Sequence, residues 1–149
     1  MTLIALLMVV SQAAASAGSK PDFSAQWVVN ATESDFGLIP PPQCRGLKVS
    51  HREPELVAEE TGPAGEPCGL TIRYSTDGTP VTYTANNARQ RAQLTWSGNA
   101  LVIVRTSDDG VAMRIEATLS ADGRKLTRAF YVESPQGSTS WTYVYDRAR

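Results

Sequence analysis

From residue 92 onward, apolar and polar positions alternate in short runs. Ala92, Leu94 and Trp96 are spaced by polar residues. Val111, Met113, Ile115, Ala117 and Leu119 alternate with Ala112, Arg114, Glu116 and Thr118. Leu126, Arg128, Phe130 and Val132 alternate with Lys125, Thr127, Tyr131 and Glu133, and Trp141, Tyr143 and Tyr145 with Thr142, Val144 and Asp146. A period of two marks a strand with one buried face and one wet face. No run has the length or the period of a helix. The runs are cut at Ser97-Gly98-Asn99, Ser107-Asp108-Asp109-Gly110, Ser120-Ala121-Asp122-Gly123 and Ser134-Pro135-Gln136-Gly137, with an earlier cut at Ser75-Thr76-Asp77-Gly78. Turns this short force successive strands into hairpins.

The first half of the chain carries further strands near residues 25–30, 45–52, 55–61, 68–75 and 80–85. The segment 100–106 is apolar on both faces, Leu101, Ile103 and Arg105 opposing Val102 and Val104. Between the first two strands, Pro40, Pro41 and Pro42 remove three backbone donors and favour an extended lid or cross-over. Ten strands in consecutive hairpins predict an all-β fold, an antiparallel up-and-down meander closed into a barrel of eight to ten strands. Closure removes the edges that an open sheet would expose. An immunoglobulin-like sandwich is the competing architecture. Against it, the two cysteines enclose no tryptophan and the second half has no long connection for a Greek key.

Composition changes this picture mainly at the N-terminus. The first 17 residues carry no charge, Leu3 to Val10 form a short apolar block, and Ala15-Ser16-Ala17 follows. This pattern predicts a signal peptide over 1–17 and a single domain over 18–149, exported to the periplasm or the extracellular space. The block is too short to span a bilayer. With 14 basic and 15 acidic residues the net charge is −1, so no overall charge points to nucleic acid or an anionic membrane. Cys44 and Cys68 are the only cysteines. In an exported chain they read as a disulfide, and closing a loop of about 25 residues contributes roughly 3 kcal/mol. The alternative is a pair of free thiols in a reducing compartment.

Candidate chemistry is sparse. Arg128 shares a face with Leu126, Phe130 and Val132, and an inward charge needs a partner. That partner is either an internal ion pair, water at the barrel mouth, or the carboxylate of a ligand held by a charge-assisted fork. Arg105 is a second candidate of this kind. Tyr83 and Tyr143, with Tyr74 and Tyr145, fall on apolar parities from which phenols could orient a ligand. Leu94, Met113, Ile115 and Phe130 complete the expected pocket lining. Trp27, Trp96 and Trp141 read as core and barrel-end plugs. His51, the only histidine, reads as hydrogen-bonded near the Pro54 corner, and Glu53, Glu55, Glu59 and Glu60 as a solvated face. There is no Gly-x-Ser-x-Gly, no phosphate loop and no dinucleotide fingerprint. The sequence therefore names no catalytic residue, no metal site and no cofactor.

Asp22-Phe23-Ser24-Ala25-Gln26-Trp27 resembles the opening motif of the lipocalin and fatty-acid-binding superfamily, in which a Gly-x-Trp starts the first strand. Trp27 matches the Trp, which in that superfamily plugs one barrel end; Ala25 stands in place of the Gly. Tyr143-Val144-Tyr145-Asp146-Arg147 looks like the last strand of fatty-acid-binding proteins. There the carboxylate-binding Arg-x-Tyr would fall on Tyr143-x-Tyr145, which keeps only the Tyr. The wider pattern of short motifs resembles small secreted bacterial lipocalin-like proteins. The resemblance implies an exported, monomeric, lipocalin-like barrel binding a small apolar or amphipathic ligand without catalysis. The alternatives are a barrel filled solid that acts through its loops and Pro-rich lid, and an enzyme on the same scaffold.

Overall fold

The computed structural model describes residues 18–149, so the expected leader, residues 1–17, lies outside the described residues. Ten strands follow in order: β1 Ala25–Val29, β2 Gly46–Arg52, β3 Glu55–Thr61, β4 Pro67–Ser75, β5 Val81–Ala85, β6 Ala88–Ser97, β7 Ala100–Ser107, β8 Ala112–Leu119, β9 Lys125–Ser134 and β10 Gly137–Arg147. They form one antiparallel sheet in the order β4-β3-β2-β1-β10-β9-β8-β7-β6-β5. Consecutive strands pair, except β4 with β5, and β1 returns to β10 with Trp27 opposite Arg147 and Val29 opposite Tyr145. Each Gly-marked cut is a turn. Gly98, Gly110 and Gly123 have φ of 61°, 84° and 69°, a region that favours glycine. The β5–β6 turn instead uses Asn86 and Asn87, at φ 53° and 60°, the two positive values that a tight two-residue hairpin requires. The connection over residues 30–45 contains no helix.

The ladder is not fully closed. The sequence predicts a closed barrel, and the fold nearly reaches it: β4 and β5 are the two ends of the sheet and share no ladder. An isolated bridge, Asp77 to Thr95, the Gly78 N–H to the Leu94 carbonyl at 3.0 Å and the Gln93 side-chain amide to the Gly78 carbonyl at 3.0 Å tie this corner to β6. Thr76 N–H donates to the Pro54 carbonyl at 2.8 Å, and Pro80 offers no donor where β5 begins. The corner is thus held by its neighbours rather than by β4–β5 pairing. The barrel is nearly closed, with a seam along one side.

Side chains fill the lower part of the barrel. Trp27 is 0% exposed, and Phe23, Leu94 and Leu126 are also buried around it. Trp27 Nε1 donates to the Phe23 carbonyl at 3.0 Å, while the Arg147 guanidinium lies 5.1 Å from the Trp27 ring centroid. Arg147 Nε is fixed in turn by the Gly123 carbonyl at 3.1 Å. The pocket left in this region is only about 40 Å³. Along β7, Leu101 is in the core, whereas Val104 is exposed, which orients the segment that is apolar on both faces.

A polar knot closes the lower rim. Glu53 Oε1 accepts from Trp96 Nε1 at 3.0 Å and from His51 Nε2 at 2.7 Å, and its Oε2 accepts from the Thr76 hydroxyl at 2.6 Å. His51 Nδ1 accepts the Phe23 N–H at 3.3 Å, so the ring proton sits on Nε2. Both nitrogens are engaged, and neither is left for a metal or a substrate. Burial works against the Glu53 charge, but the Thr76, His51 and Trp96 donors outweigh it and hold the carboxyl below its ordinary value of 4.5. A carboxylate whose pKa is lowered on folding adds stability above the unfolded pKa, and that stability is lost as pH falls through the folded value. Thermal melts from about pH 7 down to about pH 3 should therefore show the main loss of stability below about pH 4.5, with a smaller acid-induced drop in Glu53→Gln. An equal drop in wild type and variant would remove Glu53 from this role.

Candidate ligand cavity

Above the filled region the barrel opens into a cavity of about 620 Å³, within the range of small-molecule sites. Most strands of the barrel reach it. β7 supplies Arg105, β8 Met113 and Ile115, β9 Arg128 and Phe130, and β10 Trp141, Tyr143 and Tyr145. Glu60 of β3 stands across from them. The mouth lies between residues 42–44 of the lid, Gly69 and Leu70 of β4, and Thr84 to Asn86 of the β5 end.

The lid is held at several points. Asp35 bridges to Thr142, Phe36 packs on Tyr143 at 5.7 Å between ring centroids, and Cys44 is disulfide-bonded to Cys68 at the start of β4. The disulfide thus joins the lid to one rim of the mouth, the Cα atoms 5.7 Å apart. At the lid tip Leu38 is 97% exposed.

Of the residues singled out from sequence, Arg105, Met113, Ile115, Arg128, Phe130 and Tyr143 line this cavity. Leu94 does not: it faces inward but lies in the filled lower part. Tyr83 is not among the lining residues; it packs against the core, its hydroxyl 3.4 Å from Arg105 Nη1. Trp27 lies at the opposite, filled end. Trp96 belongs to the polar knot below, whereas Trp141, read as a plug, is part of the cavity wall. The acidic group read as a solvated face also divides. Glu53 anchors the knot, and Glu60 lines the cavity, its Oε2 accepting the Leu70 N–H at 2.9 Å. The signal for Glu60 was available, since it follows Leu56 and Ala58 in parity.

Arg128 is enclosed by the barrel, and the surface it retains faces the cavity. Its Nη1 donates to the Tyr145 hydroxyl at 3.3 Å, and its guanidinium lies 5.0 Å from the Phe130 ring centroid. Arg105 Nη2 contacts Met113 Sδ at 3.0 Å. Among the described residues neither guanidinium forms an ion pair with a carboxylate. Burial works against the Arg128 charge, but Tyr145, Tyr74 and Glu60 favour it more strongly and raise its pKa. Burial and the Tyr83 hydroxyl push the Tyr74 phenol up, against the fields of Arg128 and Arg105. Burial likewise raises Tyr143. These phenols stay protonated at neutral pH and keep their donors. The cavity therefore presents two cations and several hydroxyls against one carboxylate, Glu60, a balance that accepts an anion.

The wall is aromatic. Phe130 and Trp141 stack at 5.0 Å with planes 9° apart, and Tyr143 meets Phe130 edge-on at 5.0 Å. Such faces take up an apolar body while the floor holds a charged head. No group of three or more His, Cys, Asp or Glu among the described residues could hold a metal ion.

Structural comparison fits this geometry. Secretory abundant heat soluble protein 4 from Ramazzottius varieornatus superposes with a TM-score of 0.66 at 14% identity, covering 88% of this chain and 97% of that one. Zebrafish ileal bile acid-binding protein, solved with cholic acid, gives 0.60 at 15% identity, covering 85% and 98%. The fluorescent protein UnaG gives 0.54 at 14% identity, covering 85% and 97%. The fold is a lipocalin-like barrel. No family model matches the sequence, and no curated protein matches it by sequence. At these identities the likeness concerns the scaffold, and function has to be argued from the cavity.

Proposed function

We propose that this chain is an exported, non-catalytic carrier of a small amphipathic anion, folded as a single domain over residues 18–149. The observation that carries the reading is the pair of guanidiniums, Arg105 and Arg128, facing a cavity of about 620 Å³ without a carboxylate partner. Holding an unpaired charge inside a barrel is costly, and a ligand anion would offset that cost. Burial of the apolar body against Phe130, Trp141 and Ile115 would supply the rest of the affinity. The zebrafish neighbour, a bile acid-binding protein solved with cholic acid, supports the same reading. Export is supported by the leader pattern and the Cys44–Cys68 disulfide. No helix of the described residues is long and apolar enough to cross a membrane.

The test is calorimetric titration of the purified domain with decanoate, decanol and decylamine, which share an apolar chain and differ in head-group charge. Decanoate should bind, decanol should bind at least about tenfold more weakly, and decylamine should not bind, since a charge-assisted hydrogen bond contributes about 1.5–3 kcal/mol. Equal binding of all three, or of none, would overturn the reading.

A further inference from the structure

The two cavity guanidiniums occupy different levels of the barrel. Across the ladder, Arg105 is level with Met113 and Val132, whereas Arg128 is level with Ala117 and Leu101. From Val132 to Arg128 along β9 is a rise of roughly 13 Å, and β7 and β9 are two strand spacings apart, roughly 10 Å. Between the two levels runs a row without charge. Ile103, Ile115, Phe130 and Trp141 pair in succession from β7 to β10.

The anchors of the two guanidiniums draw them further apart. Arg105 Nη1 donates to the Tyr83 hydroxyl at 3.4 Å, and Tyr83 is level with Gln90 and Ser107, one inward step beyond Arg105 on the side away from Ile103. Arg105 Nη2 meets Met113 Sδ at its own level. Arg128 Nη1 donates to the Tyr145 hydroxyl at 3.3 Å, and Tyr145 is level with Leu126, one inward step beyond Arg128 in the opposite direction. Closing both guanidiniums on a single carboxylate would break these contacts and bring two like charges together. A guanidinium has five N–H donors, so each keeps several for an acid of its own. Glu60 supplies neither with a partner. Its Oε2 takes the Leu70 N–H at 2.9 Å, and the residue is exposed at the mouth.

We propose that the cavity takes a dianion whose acidic groups stand at two separate points of an apolar body, one at Arg128 and the other at Arg105. The apolar body lies along Ile115, Phe130 and Trp141. The inference rests on the anion-carrier reading above and narrows it to a ligand class. Arg128 holds the first acid, and Arg105 selects for the second.

The test compares decanoate, decanedioate and octylmalonate by calorimetry in the wild-type domain, and the first two in Arg105→Met. Decanedioate adds a second acid at the far end of the decanoate chain, whereas octylmalonate carries both acids at one end. Decanedioate should bind the wild type about tenfold more tightly than decanoate, the worth of one further charge-assisted hydrogen bond. Octylmalonate should show no such gain. In Arg105→Met the ratio between decanedioate and decanoate should fall to near one. Equal binding of decanoate and decanedioate would overturn the inference while decanoate binding preserved the carrier reading. Octylmalonate binding as tightly as decanedioate would overturn it as well, because charge alone and not its spacing would then matter. So would a decanedioate advantage that survives in Arg105→Met, since another group would be holding the second acid. The wild-type comparison decides even where the variant fails to fold. Failure of every acid to bind would remove both readings together.

Discussion

Arg128→Met is expected to make the unliganded protein more stable and a poorer binder. In the free barrel the guanidinium has one phenol, one ring face and no carboxylate. Methionine approximates the length of the side chain, fills its path with apolar atoms and needs no solvation. Replacing buried ionic groups with packed apolar ones is often neutral or stabilising by about 1–4 kcal/mol. The same change removes a charged floor donor, so decanoate affinity should fall by roughly tenfold to a hundredfold. Thermal melts without ligand and calorimetry with decanoate check the two halves separately. A lower melting temperature with unchanged affinity would mean that Arg128 serves the fold through Tyr145 and has no part in binding.

Trp27→Ala should carry the largest stability cost in the domain. The ring is fully buried, its Nε1 holds the Phe23 carbonyl, and its face receives Arg147. Large-to-small changes of this kind cost about 3–5 kcal/mol. Against a total stability of about 5–15 kcal/mol, that is a large share of the whole. Trp27→Phe keeps most of the apolar volume and loses the hydrogen bond, so its cost should be nearer about 1–2 kcal/mol. Urea midpoints of the two variants measure the difference. A Trp27→Ala cost as small as that of the Phe variant would mean that packing at this barrel end is not what Trp27 supplies.

The ladder of strands was legible because each turn announces itself. Gly98, Gly110 and Gly123 interrupt runs of strand length, all but 100–106 with one sensible inner face, and the structure has a hairpin at each. Parity gives a side, however, not a height. Leu94 and Ile115 share the inward side, yet one is sealed in the filled region and the other lines the cavity. That distinction depends on how strand tilt and register stack the rows. The β4–β5 seam was illegible for a related reason. Alternation along β4 and β5 fits a paired and an unpaired edge equally well, and the deciding contacts are backbone bonds from Thr76 and Gly78 to other elements. Reading acidic residues as solvated by default concealed Glu60, and treating each Trp as a plug concealed Trp141.

The order of the sheet also dictates how the chain can assemble. Every ladder joins strands adjacent in sequence except one, β1 with β10. Two local meanders, β1 to β4 and β5 to β10, can each zip up by successive short loop closures, whose entropic cost is small. The β1–β10 ladder joins nearly opposite ends of the chain, so topology concentrates the slow, non-local search in that single event. Substitutions that weaken Trp27, Val29 or Tyr145 therefore bear on the speed of folding. Substitutions in the remaining hairpins bear mainly on how fast the finished barrel comes apart.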